Sequence, residues 1–456
     1  MVQRSSIVQI ILCYILYCCL PILSVAQTID YGKAIDDIMA DYLSDYPEPT
    51  IKALDKLFAG NEIEHLPAET QFFYHYYYGA CHRKNNIDLA IKHLTLARNV
   101  ANLYNEIGRR NQYALDAEMM LADLYIEKGG EDNRAVAMLL YNDIITIGIS
   151  ILANPEIGGL VIQSLIEQAK MGIDVWLDAQ WVKQMWIQAR DLAIEINDVT
   201  SYSYYVISVL KYYCDLDDYD TALSFMNDAM SKEILEVDVA SYCKYILETK
   251  ELLIKDEGLI TSKGVQSLDY WSNRLRLAEL SVVLCSENKS LALLQEVEQG
   301  LTENNLTDSY EYAYVLFLLS NVTLNDPQEA ESYFLKQVKL LQVSPEYFAY
   351  MTEADLFNFL AVCQMKQGKY SEAKANYEKT LSYLERDKVY SEQDGYKNTM
   401  AIVFHNFGRN LYLMGKYQES VDYLSKSITI QEEINGAAMR KTEVYLSESI
   451  NCLGQN

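Results

Sequence analysis

Four of the five histidines, His65, His75, His82 and His93, fall within 29 residues, and Cys81 lies among them. Imidazole and thiolate are ligands that zinc takes, so a metal site is the first chemistry to weigh. Along one helix, however, His75 and His82 stand roughly 10 Å apart, too far for one ion to hold both. No HExxH and no CxxC occurs, and the reading is no metal and no cofactor. Nucleophilic and nucleotide chemistry lack their signatures as well, since neither GxSxG nor a phosphate-binding glycine loop is present. The abundant carboxylates read as solvated faces of an acidic chain. No catalytic residue is assigned, and no enzyme is expected.

A second polar cluster, His405, Asn406, Arg409 and Asn410, sits in FHNFGRNLYLMGKYQESVDYLSKSI, residues 404–428. That stretch aligns at an offset of 47 with FNFLAVCQMKQGKYSEAKANYEKTL, residues 357–381. Phe357 meets Phe404, Leu360 meets Phe407, Gly368 meets Gly415, Tyr370 meets Tyr417 and Ala373 meets Ser420. The pattern requires a helical hairpin. Glycine ends the first helix in a left-handed conformation, tyrosine begins the second, and small Ala373 or Ser420 lets the two approach. Tyr377 and Leu424, four residues on, share that buried face.

These residues resemble the tetratricopeptide repeat, and the resemblance implies an all-α, tetratricopeptide-like helical-hairpin solenoid, a right-handed superhelix, of an exported bacterial type. Weaker copies place Tyr213, Tyr219, Ala222, Met226 and Ala229, then Tyr314, Ala330 and Phe334, at the pattern's positions. Nearer the start Gly79, Ala90, Leu94 and Ala97 fit, and residues 121–144 fit with an insertion near Gly130. Residues 157–198 and 237–300 carry no clear copy and read only as amphipathic helices.

The resulting division is 1–26 as a signal peptide, 27–256 as an N-terminal helical array of degenerate hairpins, and 257–456 as a C-terminal array. The best repeats of the latter are 354–381 and 401–428, with a partial repeat at 445–456. The leader reading rests on Arg4, the apolar run 7–25 and small Ser24 and Ala26 before the expected cleavage. Export to a periplasmic or extracellular location follows as an expectation, with membrane association only through an uncleaved leader or a partner. The longest later uncharged run, 312–325, is too short to span a bilayer and reads as a fully buried helix.

Composition narrows the partners. The 456 residues include 64 Asp and Glu against 38 Lys and Arg, a net charge of −26 that excludes nucleic acid as a partner. Beyond the leader, six scattered cysteines read as buried free thiols rather than a disulfide framework. Tyrosine stands out, with 37 Tyr against 11 Phe. Core packing accounts for many, and a partly wet groove for peptide or sugar for the rest.

The resemblance implies ligand-facing positions on the first helices: Asn358, Val362 and Met365 in one repeat, His405, Arg409 and Tyr412 in the next, with Asn406 beside them. The expected function is an exported protein-interaction scaffold or sensory adaptor that binds a protein or peptide in this groove. The alternatives are a carbohydrate-binding helical protein of nutrient uptake, or the front part of a longer signalling protein.

Overall fold

Helix starts are written locally. Asp198, Asp218, Asp238, Ser267, Ser286, Ser309, Asp326 and Thr352 each accept a backbone N–H from the first turn of the helix they precede. The computed structural model of the chain describes residues 31–39, 47–59, 63–101, 107–152, 155–174, 179–231, 237–348, 351–386, 394–435 and 440–454. The expected leader, 1–26, lies outside them. Among the described residues there are 20 α-helices, two short 3-10 turns and no strand.

After α1 (Tyr31–Met39) and α2 (Glu48–Phe58), the helices pack in chain order as hairpins. These are α3 (Ala68–His82) with α4 (Ile87–Ala101), α5 (Ile107–Lys128) with α6 (Glu131–Ile149), α7 (Pro155–Asp174) with α8 (Ala179–Glu195), and α9 (Val199–Asp215) with α10 (Tyr219–Met230). A long helix, α11 (Val239–Ser262), intervenes. Then come α12 (Leu268–Leu284) with α13 (Glu287–Glu303), α14 (Tyr310–Val322) with α15 (Pro327–Leu341), α16 (Glu353–Lys366) with α17 (Tyr370–Arg386), and α18 (Asp394–Leu413) with α19 (Tyr417–Asn435). The last helix, α20 (Arg440–Gly454), packs on α19 and α18. No described helix is long and apolar enough to cross a membrane.

First helices also touch one another from hairpin to hairpin: α5 with α7, α7 with α9, α9 with α12, α12 with α14, α16 with α18, and α18 with α20. The row therefore passes directly from α9 to α12, and α11 stands outside it. Polar contacts secure that bypass. Ser286 N–H donates to Asp215 Oδ1 at 2.9 Å, while Lys289 Nζ donates to the carbonyls of Cys214 and Asp215 at 2.8 and 3.0 Å. A cation on the last carbonyls of α9 also complements its negative end.

The glycine turn predicted from the repeat is present. Gly368 and Gly415 have φ of +76° and +73°, and the N–H one residue on returns to the carbonyl five residues back, from Lys369 to Gln364 and from Lys416 to Leu411. The same closure recurs with Asn197, Asp217 and Asn305 in the left-handed position, each followed by a 2.8–3.0 Å return bond. Asparagine and aspartate tolerate that conformation at some cost, which is why a search for glycine alone misses these turns.

The hairpins that the sequence left unassigned are α7–α8 and α12–α13. Their close approaches use other residues. Gly172 lies under the Trp181 ring, Gly158 under Ile196, and Gly300 under Trp271, where an added Cβ would stand within 2.6 Å of each neighbour. The expected fully buried run at 312–325 is corrected as well. In α14 only Ala313, Val315, Leu316, Leu319 and Ser320 are buried, and Tyr310 is exposed. Residues 394–397 begin α18, and 387–393 lie outside the described residues.

In the best repeat an added Cβ on Gly408 would stand 2.6 Å from Cγ and 2.8 Å from Cδ2 of fully buried Leu424. Gly408→Ala is expected to cost about 1–3 kcal/mol by overpacking, and Leu424→Ala about 2–5 kcal/mol by cavity formation. Urea unfolding of the double variant should show a loss smaller than the sum; strict additivity would contradict the contact.

Candidate ligand-binding face

The six residues assigned from sequence divide by burial. Asn358, Met365 and His405 are 7, 3 and 3% exposed, whereas Asn406, Arg409 and Tyr412 are partly exposed. His405 is covered by α20: its Nδ1 lies 2.9 Å from Thr442 Oγ1, and its ring meets Tyr445 edge-on at 5.9 Å. Met365 packs in the core with Phe407 and Tyr377. Asn358 accepts from Asn406 Nδ2 at 3.4 Å, linking α16 to α18. The Arg409 guanidinium lies over the Tyr445 ring at 5.2 Å. Five of the six thus join first helices to each other or to the core, and the three buried ones, Asn358, Met365 and His405, are closed to a ligand unless a helix moves.

Elsewhere on the first-helix row a different constellation recurs. On α7, Lys170 Nζ donates to Glu167 Oε1 at 2.8 Å, and Tyr204 of α9 donates its hydroxyl to the same oxygen at 2.5 Å. On α12, Arg276 Nη1 donates to Glu279 Oε2 at 2.6 Å, and Tyr314 of α14 donates to Glu279 Oε1 at 2.8 Å. Each station is a carboxylate, a cation three residues away on the same helix, and a tyrosine from the next first helix. Burial and the adjoining glutamate push the Tyr314 phenol up to about 12, so it is a donor at neutral pH. Burial opposes the charge on Lys170, but Glu167 and Tyr204 outweigh it and its pKa is raised. Arg83 at the end of α3 similarly pairs with Asp123 and Glu127 of α5.

This chemistry accounts for part of the tyrosine excess. Tyr141, Tyr204, Tyr219, Tyr312, Tyr314 and Tyr333 all donate to carboxylates. A ring buried beside a carboxylate needs a donor at its tip, which phenylalanine lacks. Beside Tyr314 the rings of Tyr310 and Phe317 stack at 5.8 and 5.9 Å, giving α14 an aromatic ladder with Tyr310 45% exposed.

Charge is unevenly placed. Residues 27–352 hold 50 of the 64 acidic and 25 of the 38 basic residues, whereas 353–428 hold 10 of each. Both stations therefore lie in the part of the chain that carries nearly all the net charge.

The histidine group is rearranged by the fold. His75 of α3 meets His93 of α4, with Nδ1 atoms 3.2 Å apart and ring centres at 5.2 Å. Reasoning along one helix paired His75 with His82 and missed the partner supplied by the hairpin. Burial lowers both His75 and His93 to about 4; Glu64 acts against this at His75, while Lys92 lowers both and His82 lowers His93 further. Among the described residues the cysteines are free thiols: Cys81, Cys214, Cys285 and Cys363 are buried, Cys243 and Cys452 partly so. Among the described residues no three His, Cys, Asp or Glu side chains converge as a metal site.

The histidine shifts fix a sign. Unfolded imidazoles take a proton near 6.5 and the folded pair only near 4, so between these values the unfolded chain binds more protons. Stability is expected to hold above about pH 6.5 and to fall as the pH drops toward 4. Urea midpoints from pH 7.5 to 4.5 should fall less steeply in His75→Gln/His93→Gln than in the unaltered chain; equal slopes would assign the loss to carboxylates alone.

The tetratricopeptide repeat family model matches residues 401–438. No curated protein matches the chain significantly. Similar solved structures include kinesin light chain nearly identical TPR-like repeats of Podosopora anserina, 13% identical with TM-score 0.33, covering 51% of this chain and 95% of that one. BtubC (BKLC) from P. vanneervenii is 14% identical with TM-score 0.31, covering 72% and 94%. The TPR2AB domain of yeast Sti1, solved as a pHSP90 complex, is 12% identical with TM-score 0.24, covering 74% and 98%. The match at 401–438 coincides with the α18–α19 hairpin, its glycine turn and the Gly408–Leu424 approach, and this hairpin is a tetratricopeptide repeat.

Proposed function

We propose that this chain is a non-enzymatic protein-interaction scaffold whose first-helix row, from α5 to α14, receives an extended basic segment of a partner protein. The observation that carries this reading is the recurrence of the tyrosine–carboxylate–cation station at Glu167, Lys170 and Tyr204 and again at Glu279, Arg276 and Tyr314. Each sets a carboxylate beside a phenol ring, a pairing that its own Lys170 or Arg276 already engages and that a partner's lysine or arginine side chain joins or displaces through an ion pair and a cation–π contact. Lys170 already lies 4.6 Å from the Tyr204 ring centre, so that ring accommodates a cation. The charge surplus of residues 27–352 adds long-range attraction, which speeds encounter and is screened by salt. On the leader reading, the scaffold acts outside the cytoplasm as an adaptor or sensory module.

Fluorescence anisotropy of a labelled lysine-rich peptide on the full chain tests this. Glu167→Gln/Glu279→Gln should weaken binding about tenfold, the loss of roughly 1.4 kcal/mol. Asp191→Asn/Asp228→Asn, which removes equal charge from second helices, should leave it within twofold. Equal losses from the two variants would reduce the effect to net charge, and binding of a neutral glycan in place of the peptide would overturn the reading.

A further inference from the structure

Among the features that the interaction reading does not use, the His75–His93 contact has the most specific geometry. It is a product of the α3–α4 hairpin. Gly79 lets the helices approach so closely that an added Cβ would stand 2.7 Å from Leu94 Cγ and 3.2 Å from the Ala90 carbonyl. His75 lies one turn before Gly79 and His93 next to Leu94, so the same approach brings the two rings into contact. Aromatic neighbours fix them: Tyr74 meets His75 at 5.1 Å and His93 at 6.1 Å, and Tyr78 lies over His93 at 4.5 Å. Tyr74 is itself held edge-on by Phe58 at 4.7 Å.

We propose that His75 and His93 form a binding site for a divalent transition-metal ion of the zinc class, which they hold through their two Nδ1 atoms.

Two imidazole nitrogens on one tetrahedral ion, each at roughly 2.0–2.1 Å, are separated by about 3.3–3.4 Å. The observed 3.2 Å needs an adjustment of only about a tenth of an ångström. Metal ligation requires neutral imidazole, and burial keeps both rings neutral well below physiological pH. In the metal-free pair one Nδ1–H donates to the other Nδ1. On binding, that ring takes its other neutral tautomer, with the proton on Nε2, so both lone pairs face the ion and no proton is lost overall. Glu64, whose carboxylate acts on His75, favours a cation there, and Lys92 opposes it. Two protein ligands make this an open, exchangeable site, with water in the remaining positions. It differs from the one excluded on sequence grounds, which paired histidines along a single helix.

The test is isothermal titration of the chelator-treated full chain with Zn²⁺, paralleled by Co²⁺ absorption, whose visible bands intensify in a tetrahedral field. One ion per chain is expected at this site. His75→Ala and His93→Ala should each weaken it at least tenfold, while His65→Ala leaves it unchanged. His75→Gln and His93→Gln, which keep a polar side chain of similar length, separate loss of ligation from loss of folding when far-UV circular dichroism is unaltered. Unchanged affinity in the folded His75→Gln and His93→Gln variants, or no Zn²⁺ binding by the unaltered chain, overturns the assignment.

Discussion

The structure depends on one contact, the close approach of paired helices at a small residue. In α3–α4 it is Gly79 under Leu94, and in α18–α19 it is Gly408 under Leu424. Leu94 and Leu424 are fully buried by it, a gain of about 1.5–3 kcal/mol each before ordering costs. Ser420 shows how strict the distance is. Its hydroxyl replaces the alanine methyl of the preceding repeat and donates to the Gly408 carbonyl at 2.8 Å, across the same narrow gap. Where the glycine lies elsewhere, a large partner covers it, as Trp271 covers Gly300.

Once hairpins are this tight, their first helices must stack, and the side chains between them are selected for joining. Apolar residues alone do not fill those seams. Tyr204 and Tyr314 reach back to glutamates on the preceding first helix, Asn406 reaches Asn358, and His405 meets Thr442 of α20. Buried polar groups need such partners, and the acidic composition makes a phenol the fitting donor. The stations that present carboxylate and ring to a basic ligand are thus also stitching between repeats, so ligand contacts and array rigidity are coupled at the same residues.

The bypass of α11 has a further consequence. Because α12 follows α9 in the row, contacts from Lys289 and Ser286 to residues 214–217 close a loop of about seventy residues. Leu280, Leu284 and Cys285 join the core that begins at Ala90. Asn273 in turn donates to the Leu252 carbonyl and to Asp256 at 2.9 Å. Helix α12 therefore contributes to two cores, the one that begins at Ala90 and the one around Trp271, and hydrogen bonds tie it to α11.

By itself the sequence determined the local and periodic features. The helices, the turns at Gly368 and Gly415, the small residues at Ala373 and Ser420, and the repeats at 354–381 and 401–428 follow from spacing that is read along the chain. These are properties of one helix or one hairpin, and the residues that encode them lie within a few turns of each other. The tertiary structure alone decided which neighbour each exposed-looking polar residue meets. His405 became buried because α20 folds over it, His75 found His93 because the hairpin set that register, and Glu279 met Tyr314 across two helices. Periodicity states which face of a helix is to be covered, but not which helix covers it, since that depends on summed packing across separate segments.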